Sequence, residues 1–273
     1  MRHQNFNVQF GDVWAIGPHR LLCGDSTEKT LMQKFLKNYH PKVCITDPPY
    51  GVSYNSKNKS NPLWKLKVKN DHIVNWGDAL RNAKAPALYV WYSFNGLEVV
   101  SKGIRDSGYE AKQTVIWVKN HFSLQRYLYQ IQHEQCLVCI KPGSMTKGFW
   151  TGDRKQTTIW NVPSVRSGQR LHSTQKPIGV YTIPIQNHTN EGDYALDLFA
   201  GSGTIFEACQ LTKRIGLGVE LCPQACNIIL NRMMQLQLET CLELNLFDQQ
   251  RSNHVVEKNL YSLQANSSIG VVS

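Results

Sequence analysis

Short runs in which nearly every residue is apolar alternate along this chain with longer stretches whose apolar residues recur every three or four positions. Arg20 to Cys23 is such a run and ends at Gly24-Asp25. Glu28 to Tyr39 follows with helical spacing at Leu31, Phe35 and Leu36, and Val43 to Thr46 is the next run. Ala87 to Trp91 reads as a third strand, and Gly96 to Ser107 as a helix stopped by Gly108. Lys112 to Val118 and His133 to Ile140 read as an antiparallel pair. Ala195 to Leu198 and Ile215 to Val219 are further strands, with a helix from Ile205 to Thr212 between them. Pro223 to Gln237 closes the pattern as a long helix. Strands alternating with helices predict an α/β fold whose sheet is largely parallel and covered on both faces.

Two stretches interrupt the alternation. Gly143 to Leu171 is polar and carries Lys147, Arg154, Lys155, Arg166 and Arg170 beside Phe149, Trp150 and Trp160. It reads as a short recognition insert, with a plain long loop as the alternative. Val52 to Asn70 holds Lys57, Lys59, Lys65, Lys67 and Lys69 and no acid, with Tyr54 and Trp64 interleaved. The whole chain, at 30 Lys+Arg against 20 Asp+Glu, has a formal charge of +10. Solubility alone would account for that excess; its concentration in an aromatic-bearing loop favours a polyanion such as nucleic acid.

At 273 residues and 41% hydrophobic content, the chain has enough apolar material for one large domain, expected over 1–248. A polar, aperiodic tail is expected over 249–273. No apolar stretch approaches a membrane span, and Met1-Arg2-His3-Gln4-Asn5 has no signal-peptide pattern, so a cytoplasmic protein is expected. The eight cysteines suit that compartment, most of them lying in apolar runs. Cys136 and Cys139 have half the spacing of a zinc site, but no second pair follows and the run reads as a strand, so no metal is expected.

Candidate chemistry sits where two of the strands end. After Val43 to Thr46 come Asp47-Pro48-Pro49-Tyr50; after Leu196 come Asp197-Leu198-Phe199-Ala200-Gly201-Ser202-Gly203-Thr204. Open α/β sheets place ligands at such strand ends. Glu220 closes the next strand 19 residues after Gly201, close to the spacing at which an acid accepts hydrogen bonds from a ribose. Phe206 occupies the third glycine position of a dinucleotide fingerprint, and no Gly-Lys-Ser/Thr follows Gly203. A nucleoside ligand without a pyrophosphate fits better than a nicotinamide, flavin or nucleotide triphosphate. The alternative is a tight strand-to-helix turn with a helix-capping acid.

The prolines after Asp47 could simply end a strand, since neither donates to a ladder. The tetrapeptide also suits a demanding reaction. The exocyclic amine of a nucleobase is a poor nucleophile because its lone pair is delocalised into the ring. Acceptors on its hydrogens, supplied by the Asp47 carboxylate and the Pro48 carbonyl, would turn that lone pair outward for in-line attack on a methyl group. Tyr50 offers a flat face to a base swung out of its stack.

These motifs resemble the β-group, circularly permuted amino-methyltransferases of DNA, in which the catalytic tetrapeptide precedes the cofactor loop. The resemblance covers about residues 10 to 240. It includes the opening segment from Gly11 to Asp25-Ser26 and the segment His172-Ser173-Thr174-Gln175-Lys176-Pro177, which has serine where the family pattern has proline. It implies a doubly wound, Rossmann-like, seven-stranded sheet with one antiparallel strand, and S-adenosylmethionine as cofactor. The cofactor would meet Asp25, Ser26, Asp47, Thr174, Gln175, Lys176, Asp197, Phe199, Ala200, Gly201, Ser202, Gly203, Thr204 and Glu220. Catalysis would fall to Asp47, Pro48, Pro49 and Tyr50, and DNA contacts to Lys57, Lys59, Lys65, Lys67, Lys69, Arg154, Lys155, Arg166 and Arg170. Aspartate at the first catalytic position favours adenine N6, with cytosine N4 as the alternative. A DNA-binding subunit with little activity also stays open. The implied partner is DNA, with a second copy or a paired restriction or recognition subunit as further alternatives.

Overall fold

The computed structural model describes residues 4–49, 76–124, 126, 128–164, 176–236 and 240–247. The expected tail over 249–273 lies outside them. In chain order the elements are β1 (Asp12–Ile16), β2 (His19–Cys23), α1 (Lys29–Phe35), β3 (Val43–Thr46), α2 (Gly77–Asn82) and β4 (Ala87–Tyr92). A 3-10 turn at Phe94–Gly96 leads into α3 (Leu97–Asp106), followed by β5 (Glu110–Ser123), β6 (Ile131–Ile140) and β7 (Ile159–Asn161). The chain continues through α4 (Gly179–His188), β8 (Tyr194–Asp197), α5 (Thr204–Leu211), β9 (Ile215–Glu220), α6 (Pro223–Gln235) and β10 (Thr240–Asn245).

All the strands join one sheet in the order β10-β1-β2-β9-β8-β3-β4-β6-β5-β7. From β2 to β5 this is the expected seven-stranded sheet in which only β6 runs against its neighbours. Three strands lengthen it beyond that expectation. β1 folds back on β2 through Gly17-Pro18, with Gly17 at φ +53°, and β10 adds antiparallel to β1. β7 lies parallel along the far edge of β5.

Two apolar layers sandwich the sheet. One holds Tyr181 and Ile185 of α4, Phe206 of α5 and Ile229 of α6. The other holds Leu31 of α1, Leu80 of α2 and Ile104 of α3. Every residue of β3 is buried, which is why its sequence is an unbroken run instead of an alternation. The same two-faced burial separates Cys136 from Cys139. Strand periodicity sends residues three apart to opposite faces, so the two thiols sit in different layers and cannot converge on one ion.

The segment 143–164 is fastened to the body. Thr151 N–H donates to the Asn187 carbonyl (2.7 Å), and the Trp117 indole donates to the Val162 carbonyl (2.6 Å). His188 lies between Phe149 and Trp150, its Nδ1 on the Phe149 carbonyl (2.8 Å) and its Nε2 on the Tyr89 hydroxyl (3.0 Å). Burial lowers its pKa to about 4, so the ring is neutral and carries its proton on Nδ1, where the carbonyl accepts it. Trp160 is buried in the main core. The aromatic residues of the expected insert thus contribute largely to packing.

Candidate active site

β8 and β3 are neighbours in the sheet, and their continuations depart to opposite sides. β8 leads through α5 to β9, whereas β3 leads through α2 to β4 on its other flank. That divergence is the switch point at which open sheets bind ligands. One cavity opens there. It is walled by Gly24, Asp25 and Ser26 after β2, Asp47 and Pro49 after β3, Leu198 to Ser202 and Thr204 after β8, and Glu220 and Leu221 after β9. Trp76, Lys176, Tyr181 and Val219 complete it.

The glycine loop is shaped by its backbone. Gly201 and Gly203 have φ of +53° and +78°, and a Cβ on Gly203 would stand 2.9 Å from Ile229. Glu220 ties this loop to the next strand: its Oε2 accepts from Gly201 N–H (3.0 Å) and its Oε1 from Cys222 N–H (2.9 Å). Phe206 fills the space beneath the loop, where a Cβ on Gly218 would come within 2.5 Å of its ring. Asp25 is braced similarly, accepting from the Thr27 N–H (2.9 Å) and hydroxyl (2.7 Å).

Asp197 lies under the cavity and is wholly buried. Its Oδ1 accepts from the Thr46 hydroxyl (3.1 Å) and Phe199 N–H (3.0 Å), and its Oδ2 from the Tyr181 hydroxyl (3.0 Å). Burial pushes its pKa up to about 7 against the pull of these donors. The carboxylate therefore clips the last residue of β3, the loop after β8 and helix α4 together. Expected as a cofactor ligand, Asp197 is placed below the cavity wall, where it supports the residues that form that wall.

Asp47 is held from the side. The Lys176 ammonium donates to its Oδ2 and also pairs with Glu134 Oε2 (3.2 Å), while Glu134 pairs with Lys119 (2.7 Å). Lys176 Nζ also stands 5.1 Å from the centroid of the Trp91 ring. Burial would lower the Lys176 pKa, but Asp47 and Glu134 outweigh it and hold the group above the usual lysine value. Burial acts in the opposite sense on Glu134, and there Lys176 and Lys119 win, keeping the carboxyl below its usual range. On the other side, the Trp76 indole donates to the Pro49 carbonyl (2.8 Å) and packs edge-on against Phe199. The turn after β3 is thus fixed at both ends. The arrangement offers an immobilised carboxylate facing a glycine-lined cavity with further carboxylates at its rim.

The structure brings Asp25, Ser26, Asp47, Pro49, Lys176, Phe199, Ala200, Gly201, Ser202, Thr204 and Glu220 to this one cavity. Pro48 is buried beside it, and Gly203 starts α5 behind it. Arg154 and Lys155 are exposed, on the segment tied to the end of α4 away from Lys176. Tyr50, Lys57, Lys59, Lys65, Lys67, Lys69, Arg166, Arg170, Thr174 and Gln175 lie outside the described residues. Sequence reasoning missed Glu134, Trp76 and Tyr181, which act through neighbours from other elements and belong to no local motif.

A family model described as DNA methylase, embracing N6 and N4 enzymes, matches residues 42–231. The Type II methyltransferase M2.MboI of Moraxella bovis is 30% identical over 207 residues, spanning 65% of this chain and 75% of that protein. Among solved structures, the M1.HpyAVI–SAM complex gives a TM-score of 0.59 at 21% identity, over 78% of this chain and 98% of that one. The cytosine-N4-specific PvuII DNA methyltransferase gives 0.54 at 14% identity, over 82% of this chain and 90% of that one. These structural likenesses are likenesses of fold.

Proposed function

The chain belongs to the N6/N4 DNA methylase family, and from that premise we propose that it transfers a methyl group from S-adenosylmethionine to the N6 amine of adenine in DNA. The observation that carries this reading is the placement of Asp47 in the same cavity as the glycine loop and Glu220. The residues fit the cofactor. Gly201 admits close approach of a ligand, Glu220 and Asp25 offer acceptors to ribose hydroxyls and an adenine amine, and Phe199, Val219 and Leu221 supply apolar walls. When bound, S-adenosylmethionine supplies an electrophilic methyl group.

The protein's part is orientation. Asp47 would accept a hydrogen bond from the target amine, freeing the lone pair from the ring and aiming it at the methyl group that the bound cofactor would supply. The amine then releases its extra proton to Asp47 or to water. Lys176 fixes the carboxylate during this exchange, and Tyr50 stacks on the extruded base. The lysines from Lys57 to Lys69, together with Arg166 and Arg170, are assigned to phosphates. Incubation with DNA and labelled cofactor, nucleoside digestion and mass spectrometry test the proposal, and sequencing maps the modified site. N6-methyladenine is the expected product. N4-methylcytosine would move the assignment to the other base, and DNA binding without transfer would indicate a recognition subunit.

Glu220→Ala should weaken S-adenosylmethionine binding by about 1.5–3 kcal/mol, the range for hydrogen bonds to a charged group. Calorimetric titration measures it directly. An unchanged dissociation constant would reduce Glu220 to the loop brace formed by its bonds to Gly201 and Cys222.

A further inference from the structure

β5 and β6 outrun the sheet on the side of the cavity. β4 ends at Tyr92, opposite Gln135 of β6, yet β5 and β6 pair on past it to Val118 opposite His133 and, beyond a bulge in β5, at Ser123 opposite Ile131. Four further residues of strand project the hairpin by roughly 13 Å at about 3.3 Å per residue. Its base is Glu134, which grips the lysine that grips Asp47. Among the described residues toward its tip, large apolar side chains are exposed: Phe122 is 54% exposed, Leu124 86%, Leu128 98% and Tyr129 86%. From Lys119 to His133 there is no acid, while Lys119, Arg126, His121 and His133 are present. Leu124, Leu128 and Tyr129, almost fully exposed on an acid-free projection, add little to the core, and exposed apolar side chains of this size mark an interaction surface.

We propose that the β5–β6 hairpin tip is a wedge that enters the DNA stack and occupies the space left when the target base swings toward Asp47. The inference rests on the DNA-methylating reading. Duplex DNA fits this surface better than a protein does. The absence of acids suits a phosphate-lined groove, and apolar side chains inserted between base steps are a known means of unstacking them. The hairpin rises from the end of the sheet at which the cavity opens, the side from which a target base would reach Asp47. Because the base of the hairpin is bonded through Glu134 and Lys176 to Asp47, insertion and orientation of the amine share one rigid support.

The test compares wild type with Leu128→Ser/Tyr129→Ser, whose exposed positions leave the core intact, and with the apolar-conserving Leu128→Met/Tyr129→Phe. Each is assayed for kcat/KM of labelled methyl transfer on the mapped site in two duplexes. One is fully paired; the other carries an abasic position opposite the target, so that extrusion costs little. The serine variant should lose roughly five- to hundredfold on the paired duplex, the range of a lost stacking contact. On the abasic duplex it should approach wild type, and the conserving variant should match wild type on both. Equal losses on both duplexes, or no loss on either, would overturn the wedge. So would a change from dimer to monomer in sedimentation, which would make the tip a seat for a second copy. Absence of transfer by wild type on both duplexes would instead bring down the methyltransferase reading on which the wedge depends.

Discussion

Asp47→Ala is expected to lower methyl transfer by roughly 10³-fold or more at saturating cofactor and DNA. A hydrogen bond between a carboxylate and a neutral donor is worth about 1.5–3 kcal/mol, and an attacking group misplaced by about 1 Å costs on the order of 10²-fold further. Cofactor affinity should stay near wild type, since the loop from Phe199 to Thr204 and Glu220 is braced by its own bonds. The fold should also survive, because Lys176 keeps Glu134 as a partner when Asp47 is gone. Single-turnover transfer with a parallel cofactor titration separates these effects. Turnover within tenfold of wild type would remove Asp47 from the chemistry.

Lys176→Met should cost about 10²-fold in kcat while leaving S-adenosylmethionine affinity little changed. The substitution keeps the apolar stem and deletes the charge that Asp47 and Glu134 share. Asp47 and Glu134 would then lose the cation they share beside Trp91, with Lys119 still on Glu134. Breaking a buried pair by removing one partner costs roughly 3–5 kcal/mol, and partial exposure of Glu134 puts this case toward the lower end. The melting temperature should therefore fall as well. Lys176→Arg should not restore activity, since a planar fork cannot reproduce one compact ammonium between two acceptors. The family resemblance gives Lys176 a cofactor contact, and the opposite result would support that role. A raised cofactor dissociation constant with unchanged kcat would detach Lys176 from Asp47's work.

The central sheet was readable because burial leaves a plain mark. Val43 to Thr46 was bounded correctly, since a strand covered on both faces tolerates only small or apolar residues. The edges were harder to read. Thr240–Asn245 alternates as an edge strand should, but six residues between a long helix and the polar tail carry too short a pattern to read as a strand. α4 was missed for two reasons: Pro184 sits inside it, and apolar residues surround it instead of lining one face. In the site, residues within motifs were legible and residues between motifs were not. Asp47 and Glu220 announce themselves by their neighbours in sequence. Glu134 sits in a strand that reads as core, and only the pairing of β6 beside β4 brings it to Lys176.

The clip between Thr46 and Asp197 spans 151 positions of chain, and that separation sets the order in which the protein becomes competent during its own synthesis. Translation at roughly 5–20 residues per second leaves the Asp-Pro-Pro run without its partner strand for on the order of ten seconds. Once β4 has emerged, β3 can pair with it but not yet with β8, and one flank of a wholly buried strand stays open. Such a flank is a template for pairing with other chains until β8 emerges to cover it. The same interval is a safeguard. The cavity's wall includes Glu220 and Leu221, and a methyl donor has no seat opposite Asp47 until the chain has grown past them.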